Sequence, residues 1–110
     1  EEAVTLIPDL DAGVLATMSS ATIPEALAAV VGDYHSGNRP GAVAEWERIL
    51  PLIHYENRQC GLAAAKLVLA EGGVIASART RAPFPDLGPP TRAELSDLAR
   101  SRNALALRWA

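Results

Sequence analysis

The chain has 110 residues and a formal net charge of −3, so it holds one domain at most and carries no strong charge signal about its partners. Its ten basic residues are scattered, without a basic run or interleaved aromatic residues, and therefore give no support to nucleic-acid binding. No apolar stretch approaches the roughly 20 residues of a membrane-spanning helix. The single cysteine, Cys60, excludes an internal disulfide and fits a reducing cytoplasm.

The N-terminal part of the sequence combines a short helix with an apolar run. Residues 1–10 predict a short helix whose length is limited by Pro8. Residues 12–18 form a continuous apolar run without polar alternation, which is typical of a strand buried on both faces of a parallel sheet. Such a strand needs a neighbour on each edge, and the sequence contains no second convincing strand. We therefore expect the chain to be a piece of a larger protein.

Helix-start signals follow the apolar run. Thr22 with Glu25, and later Thr91 with Glu94, have the spacing of capping boxes, in which a threonine caps the helix that it precedes. Asn38 is the predicted N-cap of a helix that lies between them. The sequence therefore predicts a helix after each of these three residues.

The C-terminal half reads as helices separated by one connector. A helix is predicted over residues 56–71 and ends at Gly72-Gly73, because glycine is typical of helix C-termini. Residues 74–90 are rich in proline and predict a connector without regular structure. Beyond the last helix, an apolar tail at Leu105, Leu107 and Trp109 is expected to dock on another surface.

This order of elements favours an α/β fold class. A helix, one buried strand and four helical segments suit the end of a (β/α)8 barrel, which closes on its last strand. We expect residues 1–35 to form the end of the barrel and residues 36–110 a C-terminal helical extension, with mostly helix overall.

Three stretches resemble a known superfamily. The strand and its hydroxyl-rich end occupy residues 11–21, and residues 50–61 read LPLIHYENRQCG. The C-terminal pattern consists of Gly61, Lys66, Gly72-Gly73 and Arg81-Ala82-Pro83. Together they resemble the C-terminal part of the dihydrodipicolinate synthase/N-acetylneuraminate lyase superfamily, and within it the 2-keto-3-deoxy-L-arabonate dehydratases. The family often has glycine where Ala16 stands, a small departure.

The resemblance implies a chemistry that this chain does not carry alone. In the superfamily a lysine on the sixth barrel strand forms a Schiff base with the 2-keto group of a sugar acid. A tyrosine on the fifth strand shuttles protons, and an early loop binds the carboxylate. None of these elements lies in residues 1–110. By resemblance, the full-length protein is a cytoplasmic homo-oligomeric lyase of sugar-acid catabolism, without metal, organic cofactor, nucleic-acid or membrane partner.

Three hydroxyl residues are the predicted substrate-binding set. Thr17, Ser19 and Ser20 lie at the C-terminal end of the predicted strand, where barrel enzymes place their active sites. The alternative is ordinary capping of a strand end. No catalytic residue is assigned within the chain, and no metal site is expected because the only histidines, His35 and His54, lie far apart in sequence.

Other reactive residues have simpler interpretations. Lys66 is the only lysine, but its place in the pattern is that of a non-catalytic lysine of the superfamily. His54, Tyr55, Glu56 and Arg58 suit a helix-junction network or a subunit contact better than catalysis. Cys60 is expected to be a small buried side chain, and Arg81 to anchor the connector through backbone carbonyls.

Two alternatives to the dehydratase stay open. One is a small non-catalytic helical interaction or oligomerisation module, which needs no partner to cover the strand. The other is an aldolase of the same superfamily that acts on a different keto acid. A piece of an enzyme, in contrast to a module, is expected to expose the apolar strand.

Overall fold

Helices dominate the part of the chain that the structure describes. The computed structural model describes residues 2–104, apart from the side chains of Gln59 and Cys60. The expected burial of Cys60 and docking of the tail at Leu105, Leu107 and Trp109 lie outside the described residues. The elements in chain order are α1 (Leu6–Asp11), α2 (Pro24–His35), α3 (Arg39–Tyr55), a π-helical turn (Glu56–Cys60), α4 (Leu62–Glu71) and α5 (Pro89–Ser101).

The longest helix, α3, is the centre of the packing. It contacts α1, α2 and α5, whereas α4 packs mainly against α5 and the π-helical turn. Its buried residues recur at helical spacing, so that one face of the helix enters the core; they are Ala42, Ile49, Leu52 and Ile53. The Trp46 indole N–H also donates a hydrogen bond of 3.0 Å to the Ala3 carbonyl oxygen. The chain before α1 is therefore held directly on α3.

One of the three predicted helix caps is confirmed. The Asn38 side-chain oxygen accepts a hydrogen bond of 3.2 Å from the Gly41 backbone N–H, as expected of an N-cap. The two capping boxes are wrong, because the N-cap residues of α2 and α5 are Ile23 and Gly88 and neither helix has a side-chain cap.

Proline sets both of the helix starts that were predicted wrongly. Pro24 begins α2 and Pro89 begins α5, and the fixed φ of proline suits the first helical position. Thr91 consequently lies inside the first turn of α5 instead of before it. Thr22 precedes α2, but its hydroxyl binds a side chain from a distant part of the sequence.

The helix predicted over residues 56–71 is interrupted near its start. A π-helical turn covers Glu56–Cys60, and Gly61 follows with a φ of +50°, a conformation that glycine adopts readily and other residues rarely. The regular helix α4 then runs from Leu62 to Glu71 and ends before Gly72-Gly73, which confirms the predicted stop. The connector is also confirmed, although α5 already begins at Pro89.

The apolar run between α1 and α2, called the extended run from here on, pairs with no strand. No β-strand occurs within residues 2–104, and residues 14–20 have no regular structure. Val14, Leu15 and Met18 are 44%, 76% and 92% exposed, so the expectation of a strand buried on both faces is not met in this chain. The physical reason is that a parallel strand is buried only by neighbouring strands and covering helices.

This exposed run should make the isolated chain self-associate. Exposed apolar side chains on an unpaired extended segment promote pairing between molecules. We expect the double variant Leu15→Lys/Met18→Lys to shift the chain towards monomer in sedimentation velocity, with unchanged far-ultraviolet circular dichroism.

The matched control for this prediction is Phe84→Ser, which removes another exposed apolar side chain, 53% exposed, from the connector. An equal shift towards monomer in this variant would show that general surface hydrophobicity, and not the extended run, drives the association.

An exposed charge cluster holds the start of the extended run against the helices. Arg39 donates two hydrogen bonds to the Asp11 carboxylate, at 2.9 and 2.6 Å, and the Tyr34 hydroxyl donates a third at 2.8 Å. Next to it, the His35 ring N–H donates to the Leu15 carbonyl oxygen at 2.9 Å. The hydrogen bonds from Arg39 and Tyr34 lower the pKa of Asp11 from 3.8 to about 2.

The lowered pKa of Asp11 predicts a loss of stability in acid. A carboxyl group whose pKa falls on folding stabilises the folded state above its unfolded pKa, and this contribution disappears as the pH falls from 3.8 to about 2. We therefore expect Asp11→Asn to lower the urea midpoint at neutral pH but to have little effect at about pH 2. Asp97→Asn, which changes an exposed carboxylate of α5, is the control; the same pH dependence in that variant would contradict the assignment to Asp11.

Candidate functional site

The three predicted substrate-binding residues lie on the extended segment just before α2. Thr17, Ser19 and Ser20 are all half-buried. They line one side of a cleft of about 420 Å³, whose other side is formed by α2 through Leu27 and Val31. The structure thus brings all three residues together on one surface.

Ser19 and Ser20 also border a second cleft, where the extended segment meets the π-helical turn and α4. This cleft has a volume of about 410 Å³, and Thr17 does not line it. Its polar lining includes Glu56 from the π-helical turn and Lys66 from α4. We call it the junction cleft, because the segment that follows α1 and the C-terminal helices meet there.

The two serines are held by different acceptors. The Ser19 hydroxyl donates to the Glu2 carbonyl oxygen at 3.1 Å. The Ser20 hydroxyl donates to the Thr22 hydroxyl oxygen at 3.3 Å and accepts from the Thr22 backbone N–H at the same distance. Each serine therefore uses its hydroxyl hydrogen inside the protein.

A buried carboxylate ends this chain of hydrogen bonds. The Thr22 hydroxyl donates to Glu56 Oε2 at 3.0 Å, and the two residues are 0% and 5% exposed. Burial raises the pKa of Glu56 above its usual value of 4.5, the hydroxyls of Ser20 and Thr22 oppose this rise, and the charge of Glu2 adds to it. Glu56 is thus the described acidic residue with the least exposure, and it lies next to the predicted site.

Sequence reasoning placed Glu56 in a helix-junction network but missed its link to the hydroxyl residues. A signal was present, because Glu56 follows Leu52 by four residues and Ile53 by three. Residues at these spacings share one face of a helix, and both of these partners are buried. The helical pattern therefore directs Glu56 inwards, where a carboxylate needs hydrogen-bond donors.

The neighbours of Glu56 do not join it in a single cluster. His54 and Arg58 are exposed and line shallow surface hollows with Pro51 and Asn57. Within the described residues, no group of three or more His, Cys, Asp or Glu side chains can hold a metal ion. In the same part of the chain, no helix is long and apolar enough to cross a membrane.

Known proteins are similar to this chain both in sequence and in structure. The chain is 46% identical, over all its 110 residues, to L-2-keto-3-deoxyarabonate dehydratase of Azospirillum brasilense, and it covers 36% of that protein. It superposes on the crystal structure of dihydrodipicolinate synthase from Rhodopseudomonas palustris with a TM-score of 0.86 and 30% identity. That match covers 91% of this chain and 34% of the synthase.

The predicted resemblance to the dihydrodipicolinate synthase superfamily is confirmed. The predicted fold class is confirmed with it, because the described residues are mostly helical and match about a third of a chain with the dihydrodipicolinate synthase fold. No family model matches the chain. The chain spans about a third of the length of the dehydratase and of the synthase. The division into a barrel part, residues 1–35, and a helical extension, residues 36–110, stays a prediction.

Lys66, a residue of the pattern from Gly61 to Pro83, makes a structural contact in this chain. The Lys66 ammonium group on α4 donates a hydrogen bond to the Arg79 carbonyl oxygen in the connector. This is the kind of contact that the structural interpretation of Lys66 expects. In the described part of the chain it is Lys66, and not Arg81 as expected, whose side chain donates to a connector carbonyl.

The raised pKa of Glu56 predicts that the charged carboxylate destabilises the fold. A carboxyl group whose pKa rises on folding stabilises the folded state below its unfolded pKa of 4.5, and this contribution is lost as the pH rises through the folded pKa. Glu56→Gln keeps the shape but cannot ionise. We therefore expect its free energy of unfolding to decrease less than that of the unchanged chain between about pH 4.5 and pH 8, measured by urea unfolding.

The control for this prediction is Glu47→Gln, which changes an exposed carboxylate on α3 and should leave the pH dependence of the free energy of unfolding unchanged. Parallel pH profiles of the unchanged chain and Glu56→Gln would contradict the assignment of the pH dependence to Glu56.

Proposed function

We propose that this chain is the C-terminal part of a Schiff-base-forming hydro-lyase that dehydrates L-2-keto-3-deoxyarabonate. The observation that carries the proposal is the similarity to a dehydratase of that name. The alignment covers the whole chain, and 46% of the aligned residues are identical. The strand-end hydroxyl residues and the likeness to dihydrodipicolinate synthase support it.

The reaction requires groups that a different part of the enzyme must supply. An amine of a lysine condenses with the 2-keto group and releases water, and the resulting iminium group accepts the electron pair that C3 keeps when its proton leaves. The electron pair then expels the C4 hydroxyl, which leaves as water with a transferred proton. The only lysine here, Lys66, lies on α4 and donates to a backbone carbonyl, so we assign the Schiff base to a lysine outside this chain.

The contribution of this chain is the distal wall of the substrate site. Thr17, Ser19 and Ser20 follow the apolar run at the end where barrel enzymes bind their substrates. Hydroxyl groups at this position suit the hydroxylated end of a sugar acid. We propose these three residues as substrate-binding and assign no catalytic residue and no cofactor to the chain.

The exposed apolar run supports a barrel in preference to a self-sufficient helical module. Leu15 and Met18 are largely exposed in the chain as it stands. In a barrel, neighbouring strands would pair with both edges of this segment and cover these side chains. A module that needs no partner to cover this segment would not be expected to expose such a surface between α1 and α2.

Likeness to the superfamily also supports a proposal for location and assembly. We propose a cytoplasmic homo-oligomer that acts in sugar-acid catabolism on a small 2-keto acid. The absence of a second cysteine from the sequence fits a reducing compartment.

A chimeric enzyme tests the proposed function. The matching 36% of the A. brasilense dehydratase is replaced by residues 1–110 of this chain, and dehydration of L-2-keto-3-deoxyarabonate is followed by mass spectrometry. We expect activity within about tenfold of the parent enzyme and a covalent adduct after borohydride reduction in the presence of substrate. The parent without the replaced part is the control and should be inactive.

Two other outcomes separate the alternatives. A chimera that folds as the parent does but forms no borohydride adduct and no product would contradict the dehydratase and favour a helical module. Cleavage of the substrate between C3 and C4, with release of pyruvate instead of water, would identify an aldolase.

A further inference from the structure

The hydrogen-bond directions around Glu56 determine what the strand-end serines can recognise. The Thr22 hydroxyl donates to Glu56 Oε2, a carboxyl oxygen that accepts in this contact. The oxygen of Thr22 is then free to accept, and the Ser20 hydroxyl donates to it. The carboxylate thus sets the direction of the whole relay.

Ser20 has one hydrogen-bonding position left after these contacts. A serine hydroxyl has one donor and two acceptor positions. The donor is used on the Thr22 hydroxyl, with the Glu56 carboxylate as a second nearby acceptor, and one acceptor position is used by the Thr22 backbone N–H. The remaining position is an acceptor, and Ser20 lines both clefts beside the extended segment.

Ser19 is also left with acceptor positions only, for an independent reason. Its hydroxyl hydrogen is donated to the Glu2 carbonyl oxygen, which also only accepts. Both serines therefore present oxygen lone pairs, and no hydrogen, to a ligand in the junction cleft. A carboxylate would find no donor on either of them.

We propose that Glu56 is a positioning residue that, through Thr22, fixes Ser20 as a hydrogen-bond acceptor for a substrate hydroxyl group. This inference rests on the proposed function and deepens it, because it sets the orientation of the substrate. The terminal C5 hydroxyl of L-2-keto-3-deoxyarabonate lies at the serines, and its carboxylate lies at the other end of the site. Glu56 borders the junction cleft, and its role in the proposal is to position Ser20 through hydrogen bonds.

The burial of the relay explains how it can hold this direction. Thr22 and Glu56 are 0% and 5% exposed, so water does not compete for the bond between them. Glu56 belongs to the π-helical turn, and such turns are frequent at functional sites. The C-terminal helices thereby contribute to recognition through a residue that positions Ser20.

The test uses the active chimera and two substrates. Values of kcat/KM are measured for L-2-keto-3-deoxyarabonate and for its analogue that lacks the C5 hydroxyl. We expect the chimera to prefer the hydroxylated substrate by about tenfold, the size expected of one hydrogen bond between uncharged groups. Ser20→Ala should abolish most of this preference by lowering kcat/KM for the hydroxylated substrate alone.

The relay is tested by variants that leave Ser20 in place. Thr22→Val removes the hydroxyl at nearly constant shape, and Glu56→Gln introduces a donor that no longer fixes the direction of the relay. Both variants should lower the ratio of kcat/KM for the hydroxylated substrate to kcat/KM for the analogue towards a value of one. Thr22→Ser keeps the hydroxyl and should retain the ratio of the unchanged chimera. Glu47→Gln on the exposed face of α3 is the control and should retain it as well.

The outcomes distinguish the relay from the proposed function. An active chimera whose preference survives both Thr22→Val and Glu56→Gln would overturn the inference and leave the dehydratase standing. Equal losses on both substrates would show that Glu56 only stabilises the fold, and would also overturn it. A chimera that folds as the parent does but is inactive would contradict the proposed function, and the inference would fail with it.

Discussion

The hydrogen bond between Thr22 and the buried carboxylate of Glu56 connects two parts of the chain that lie 34 residues apart. Thr22 closes the extended segment before α2, whereas Glu56 begins the π-helical turn after α3. A buried carboxylate without a partner is far more costly than one that accepts hydrogen bonds, so the two residues stabilise each other's position. The serines before Thr22 are consequently held at a fixed place relative to the C-terminal helices.

The helices were largely predictable because their signals are local. Apolar residues at helical spacing mark α3, the Gly72-Gly73 pair marks the end of α4, and Asn38 caps α3 as its side chain predicts. The prediction of a capping box at Thr22 was wrong because the Thr22 hydroxyl binds the distant Glu56 carboxylate instead of the backbone of α2. The same hydroxyl can cap a helix or bind a buried carboxylate, and only the folded chain shows that Glu56 is within 3.0 Å.

The location of the candidate site was predictable from the sequence, but the hydrogen-bond directions of its hydroxyl groups were not. Hydroxyl residues at the end of an apolar run indicated Thr17, Ser19 and Ser20 without any coordinates. Whether a hydroxyl donates or accepts depends on its neighbours, and those of Ser19 and Ser20 are Glu2 and Thr22. Glu2 precedes Ser19 by 17 residues, so sequence spacing carries no information about this contact.

The extended run shows how a sequence can specify burial that the chain alone does not provide. An apolar segment of this kind is stable when its side chains are buried. In this chain, however, the side chains of Leu15 and Met18 are largely exposed to solvent. Meanwhile its two ends are fixed, by the Asp11 cluster and by Thr22, so the segment does not collapse onto the helices. In the proposed barrel, neighbouring strands would pair with this segment and cover its exposed apolar side chains. The contacts that Ser19 and Ser20 make with Glu2 and Thr22 would then hold both serines at the end of the proposed strand.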